Sequence, residues 1–233
     1  MKDTALKYLE KESVAHMGMI SPIKRNSADI IYAAEDGVFI REAKSKVYMI
    51  TMSNFDKAKT LVDEEGKQPH ICVYQKSTAD YLYEKYSYRK YAENVQAAYM
   101  EKVHMNLPPS SLEIKLLDYS LLDWVYEQYK DQLNLDYIKA RLEEGAIYGG
   151  YLEAELCGFA GIHEEGSIGI LKVLDKFRGR GYAAELMAGL VNILLDRGDT
   201  PYSQIEHDNK ASISLHKKLG FEISKNTLYR LID

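Results

Sequence analysis

The sequence predicts an α/β fold in two halves, and three observations carry that expectation. Strand-like and helix-like periods alternate along the whole chain. A single Pro-Pro pair interrupts both patterns near the middle. The longest apolar-rich run, Ala183 to Leu195, has the helical period and is broken by Glu185 and Asn192.

Ahead of Pro108-Pro109, a helix over 2–19 leads to β-like stretches at 30–34, 37–41 and 47–52. A helix at 56–64, a strand at 70–74, a helix at 78–85 and a strand at 92–100 complete this half. After the pair, a strand at 112–117 precedes helices at 120–129 and 135–144 and strands at 146–152, 156–163 and 167–174, with Gly166 turning the last two as a hairpin. A helix at 182–197, a strand at 201–206, a helix at 210–219 and a strand at 221–231 finish the chain. The boundary is placed at the proline pair, giving domains 1–107 and 110–233. Leu82-Tyr-Glu-Lys-Tyr-Ser-Tyr88 laid on Leu215-His-Lys-Lys-Leu-Gly-Phe221 shows a weak internal repeat, in which a helix end runs into an aromatic strand.

Composition excludes several classes. Thirty Lys plus Arg against thirty-five Asp plus Glu leaves a net charge of -5 over 233 residues, too little positive charge for a duplex-binding or polybasic membrane-surface protein. No nucleic-acid or membrane partner is expected. The two cysteines, Cys72 and Cys157, are far apart in apolar stretches, so neither a disulfide framework nor a metal cluster is expected, and a reducing, cytoplasmic setting follows. The first twenty residues mix Lys and acidic side chains and lack the apolar core of a secretory signal. His16, His70, His104 and His163 each stand without a second ligand at metal spacing.

The chemistry concentrates in Ile170-Leu-Lys-Val-Leu-Asp-Lys-Phe-Arg-Gly-Arg-Gly-Tyr-Ala-Ala-Glu-Leu186. Ala183, Leu186, Met187, Leu190 and Leu194 share one helical face, so a β-like run passes through a Gly-rich turn into a helix. The first turn of such a helix offers unpaired backbone N–H groups and the positive end of the helix dipole, which suit phosphate oxygens. Gly179 and Gly181 admit close backbone approach, and Arg178 and Arg180 add charge. The same Gly-x-Gly-x-x-Ala spacing, with Glu206 downstream, also fits a dinucleotide fingerprint. Against that reading, only 27 residues follow Glu206, too few for the rest of a doubly wound sheet. Asn209, Ser212 and His216 project from one face of the last helix, either lining a cofactor or serving as a cap and a solvated stripe.

Arg178-Gly-Arg-Gly-Tyr-Ala183 resembles the R/Q-x-x-G-x-G/A loop of the GCN5-related N-acetyltransferases (GNAT). Asn209-x-x-Ser212-x-x-Leu215-His216-x-Lys218-Leu219-Gly220-Phe221 resembles their second motif. The resemblance covers 111–233, and the extra N-terminal half resembles the two-domain glycine N-acyltransferase-like branch. It implies a mixed, largely antiparallel central sheet flanked by helices, preceded by a smaller, degenerate α/β half. It further implies an N-acetyltransferase that uses acetyl-CoA and no metal, with a small-molecule amine or a peptide as acceptor; a homodimer is compatible. Backbone groups of Gly179, Arg180, Gly181, Tyr182 and Ala183 would hold the pyrophosphate beside Arg178, while Leu171 and Val173 would pair with the pantetheine arm. The Val173 N–H would polarise the thioester carbonyl, and Asn209 and Ser212 would contact the cofactor.

His216 stands where many members carry the tyrosine that protonates the leaving thiolate, and imidazole can replace it chemically. The family's glutamate base on the fourth strand is missing; Glu206, His207, Glu164 and Glu165 are the alternatives, with Glu206 favoured. A non-catalytic acyl-CoA sensor and a dinucleotide-dependent oxidoreductase remain as rival readings.

Overall fold

The computed structural model describes residues 1–106 and 112–233, so the expected boundary at Pro108-Pro109 lies outside the described residues. The elements run α1 (Lys2–Leu9), α2 (Met17–Lys24), β1 (Ala28–Ala34), β2 (Gly37–Glu42), β3 (Tyr48–Met52), α3 (Phe55–Glu65), β4 (His70–Val73), α4 (Lys76–Tyr86) and β5 (Lys90–Ala98). After these come β6 (Glu113–Leu116), α5 (Leu122–Tyr129), α6 (Leu135–Glu143), β7 (Ile147–Leu152), β8 (Glu155–Ile162) and β9 (Ile168–Val173). The chain ends with α7 (Tyr182–Asp196), β10 (Tyr202–Glu206), α8 (Lys210–Lys218) and β11 (Glu222–Ile232).

The expected first helix, 2–19, is two helices. The His16 ring is buried and its Nδ1 donates to the Leu9 carbonyl at 3.2 Å, so that carbonyl finds a side-chain donor where α1 stops. A short 3-10 turn, Glu10–Glu12, follows, and α2 restarts at Met17 with every residue through Ile23 buried.

Two compact units emerge, and they are not continuous in sequence. The first contains Met1–Ala98, Gln204–Lys217 and Phe221–Asp233; the second contains Tyr99–Ser203 and Lys218–Gly220. Strand pairing explains the grouping. β11 pairs antiparallel with β4 and with β5 over most of its length, so the C-terminal strand completes a sheet begun by the N-terminal half. The seven-stranded order is β1-β2-β3-β4-β11-β5-β10. Within it β3 and β4 are parallel, joined through the crossover helix α3, and β1, β2 and β3 are successive antiparallel partners. Phe39, Ile50, Val73, Leu82 and Leu231 bury one core of this unit.

The second unit carries an antiparallel four-stranded sheet, β6-β7-β8-β9. Ile147, Phe159 and Ile170 pack on Val125, Ile138 and Leu142 of α5 and α6, with the Trp124 ring edge-on to Phe159 at 5.7 Å. α7 packs on β7, β8 and β9; of its expected face Leu186, Met187, Leu190 and Leu194 are buried and Ala183 is half-buried, while Ala188, Gly189 and Val191 outside that face are buried too. A Cβ at Gly150 would meet Leu186 at 3.0 Å, and one at Gly189 would meet Ile114 at 2.8 Å, so glycine sets how closely this helix lies on its sheet. Gly166, at φ +97°, turns β8 into β9 as expected.

The internal repeat is visible in the geometry. β1-β2-β3-α3-β4-α4-β5 has the same element order as β7-β8-β9-α7-β10-α8-β11. Ser87 and Gly220, aligned in the repeat, both take positive φ (51° and 80°), and the aligned Tyr88 and Phe221 are both buried.

Candidate functional site

β9 is an edge strand of its sheet, so one row of its backbone groups is not consumed by β8. Val173 lies opposite Gly158, and the next residue, Leu174, donates its N–H to Cys157 at 2.9 Å. Donors alternate in direction along an antiparallel strand, so the N–H of Val173, next to Leu174, points off the free edge. Upstream, the register slips between Phe159 and Gly161, and Ile170 takes φ +54° although it is a buried, β-branched residue. This is a bulge held in a costly conformation by packing. Periodicity gives no sign of it, because a bulge changes register without changing residue character.

A Cβ at Gly158 would run into the Lys172 carbonyl oxygen and lie 3.0 Å from the Val173 Cα. Glycine at 158 therefore lets β8 approach the strand segment that presents Val173.

After β9 the chain makes a short 3-10 turn, Asp175–Phe177, and reaches α7 through Arg178 to Gly181. Gly179 and Gly181 have φ of +76° and +90°, a region that side chains pay to enter. A Cβ at either would meet nothing within 4 Å, so backbone conformation, not protein packing, favours glycine here. No side chain caps α7, and its first internal donors are Ala184 and Glu185, both to the Gly181 carbonyl. The preceding N–H groups, Tyr182 and Ala183 among them, form an uncapped helix start of the kind that binds anions. Arg178 donates through Nε to the Val173 carbonyl at 3.3 Å and pairs with Asp175 at 3.0 Å, while the Arg180 guanidinium lies over the Phe177 ring. Arg178 thus ties the loop to the strand end.

The remaining predicted residues belong to the first unit. Asn209 accepts the Ser212 N–H at 3.0 Å through its side-chain oxygen, which makes it the cap of α8. His216 is only 3% exposed, and its Nδ1 is 2.8 Å from the Ser212 carbonyl and 3.4 Å from the Ser212 hydroxyl. A carbonyl can only accept, so Nδ1 carries the proton; the Phe221 ring stands edge-on at 4.8 Å, and burial pushes the imidazole pKa down. The expectation of His216 as an acid toward the thiolate does not fit this arrangement, because its N–H is directed into the helix backbone. Glu206 is exposed at the end of β10 and pairs with Lys90 at 2.6 Å. Cys157 is wholly buried and its thiol pKa is raised by burial, so it is a strand-core residue and no nucleophile.

One cluster escaped sequence reasoning. Arg141, 3% exposed, pairs with Glu144 and, at 3.4 Å, with Glu164, while the Tyr137 hydroxyl lies 2.8 Å from His163 Nδ1. His163 and Tyr137 are 26 residues apart, and only the packing of α6 on the β8–β9 hairpin joins them. Glu164 and Glu165, the latter accepting from Ser167 at 2.7 Å, are thereby engaged in structural contacts.

The dinucleotide reading needs a parallel strand-helix-strand unit in one sheet, whereas β9 and β10 lie in different sheets. Residues 147–230 match the family model of FR47-like proteins. No curated protein sequence matches the chain. Among solved structures, a GCN5-related N-acetyltransferase-like protein from Streptococcus suis superposes with a TM-score of 0.55 at 18% identity, over 97% of this chain and 99% of that one. This chain has the GCN5-related N-acetyltransferase fold. An acetyltransferase of the GNAT family from Colwellia psychrerythraea superposes at 0.54, with 12% identity over 98% and 97% of the two chains. A Drosophila protein reaches 0.63 at 17% identity, over 84% and 74%. In this fold Arg178–Ala183, the residues that resemble the loop motif, lie between the edge strand β9 and the start of α7. Among the described residues there is no group of three or more metal-ligating side chains, and no helix is long and apolar enough to cross a membrane.

Proposed function

We propose that this protein is an acyl-CoA-dependent N-acetyltransferase that moves the acetyl group of acetyl-CoA to a primary amine of a small molecule or peptide by direct attack. The observation that carries the reading is the uncapped start of α7, with two left-handed glycines open to space, directly after an edge strand whose Val173 N–H points off the sheet. The N–H groups from Gly179 to Ala183 would take the pyrophosphate oxygens, and the free edge at Leu171 and Val173 would pair with the pantetheine amides. The neutral amine attacks the thioester carbon, a C–N bond forms, and the oxygen gains negative charge that the Val173 N–H stabilises. The C–S bond then breaks and the thiolate leaves, while the amine's surplus proton passes to water. The nucleophile belongs to the substrate, so no serine or cysteine triad is needed.

Calorimetric titration with acetyl-CoA, with NADH as comparator, followed by an amine-acceptor assay, tests the reading. One-to-one binding of acetyl-CoA alone together with thiol release in the presence of amines supports it; binding of NADH alone overturns it. A second reading, a non-catalytic acyl-CoA sensor, is favoured by the buried, backbone-bonded His216. Tight acetyl-CoA binding with no acceptor modified would select it.

A further inference from the structure

The first unit contains a cavity of about 380 Å³ of its own, within the size range of small-molecule sites. Its walls come from the C-terminal ends of the parallel strands β3 and β4, in the repeat the counterparts of β9 and β10, and from the α1–α2 connection. The β3–β4 ladder ends at Ile50, whose carbonyl accepts the Tyr74 N–H at 3.1 Å. Beyond it the Gln75 side chain replaces backbone pairing: its oxygen accepts the Met52 N–H at 2.8 Å and its nitrogen donates to the Thr51 hydroxyl at 3.1 Å. Thr51 in turn lies 3.3 Å from His16 Nε2. With Nδ1 donating to Leu9, the neutral ring, which burial favours, presents Nε2 as an acceptor for the Thr51 hydroxyl.

The mouth has a different character. Glu12 and Glu35 face it with Lys11 as the one cation, whose ammonium lies over the Tyr8 ring at 5.1 Å. A register shift in β11 between Ile223 and Thr227 brings Asn226 to Glu12, to which it donates at 3.0 Å. Carboxylates at the rim and the aromatic rings of Tyr8 and Tyr74 inside are the two features that hold organic cations. An anion such as a pyrophosphate finds no cradle, because β3 runs directly into Asn54, whose side chain accepts the Lys57 N–H and caps α3.

We propose that this cavity binds a small organic ammonium ion, using Glu12 and Glu35 for the charge and Tyr8 and Tyr74 for the alkyl or aryl body. The proposal does not rest on acyl transfer. It is tested on the full chain by following backbone amide resonances during titration with n-butylamine and 2-phenylethylamine, with n-butanol and butyrate as controls. The expected result is saturable shifts at Ser53 and Gln75 with an amine, at least tenfold weaker with both controls. The Glu12→Gln/Glu35→Gln variant, which keeps an acceptor for Asn226, should bind amine at least fivefold more weakly with an unchanged melting temperature. Shifts equal for amine and butanol, no shift at these residues, or equal affinity in the double variant would each overturn it.

Discussion

Two histidines show how burial redirects a residue type that usually signals chemistry. His16 and His216 each donate Nδ1–H to a main-chain carbonyl, and each has its pKa lowered by desolvation from the ordinary value of 6.5. Because the folded value is below the unfolded one, the unfolded chain takes up protons first as pH falls. Their contribution to stability is therefore complete above pH 6.5 and shrinks as the pH drops toward and through the folded values. Thermal melts between pH 8 and 4.5 should show a falling Tm below pH 6.5, and His216→Phe should reduce that slope. In the same variant, turnover with a working amine should stay within about threefold of wild type, since a neutral, backbone-bonded imidazole has no proton to deliver; a hundredfold loss, about 2.7 kcal/mol, would restore the acid role.

The element that matters most is the β9–α7 passage, where strand edge, bulge and helix start follow one another within fifteen residues. Gly181→Val should cost about 1–2 kcal/mol of stability through the left-handed backbone alone, and should weaken acetyl-CoA binding at least tenfold by calorimetry. Wild-type affinity would remove the loop from the cofactor site. Gly158→Ala acts one strand away: the new methyl meets the Lys172 carbonyl, so β9 must shift. A loss of about 1–3 kcal/mol in urea unfolding is expected, as for other overpacked sites, with a fall in turnover larger than the fall in acetyl-CoA affinity. The helix-period and glycine signals of this passage were legible in sequence. The bulge at Ile170 was not, because positive φ at a β-branched residue has no residue-type signature and is imposed by packing.

At the scale of the whole molecule, the strand order of the larger sheet departs from chain order. β11 belongs with β4 and β5, so a fragment of residues 1–106 would expose both of those strands along their length. That fragment should lack a cooperative urea transition by circular dichroism, while the intact chain unfolds cooperatively. A sharp, monomeric transition for the fragment would show that β11 is dispensable to the first sheet.

Local sequence determined most elements, four of the five apolar positions that α7 buries on its expected face, the Gly166 hairpin and the Gly-rich loop ahead of α7, because each depends on period, turn chemistry or capping within a few residues. Tertiary structure alone decided that α1 and α2 separate at a buried His16, that β11 joins strands more than a hundred residues away, and that His216 turns into its own helix. It also alone made the cavity at the ends of β3 and β4. Those outcomes depend on pairing and burial between segments distant in sequence. Side-chain alternation there shows which residues are apolar, and says nothing of which strand lies beside which.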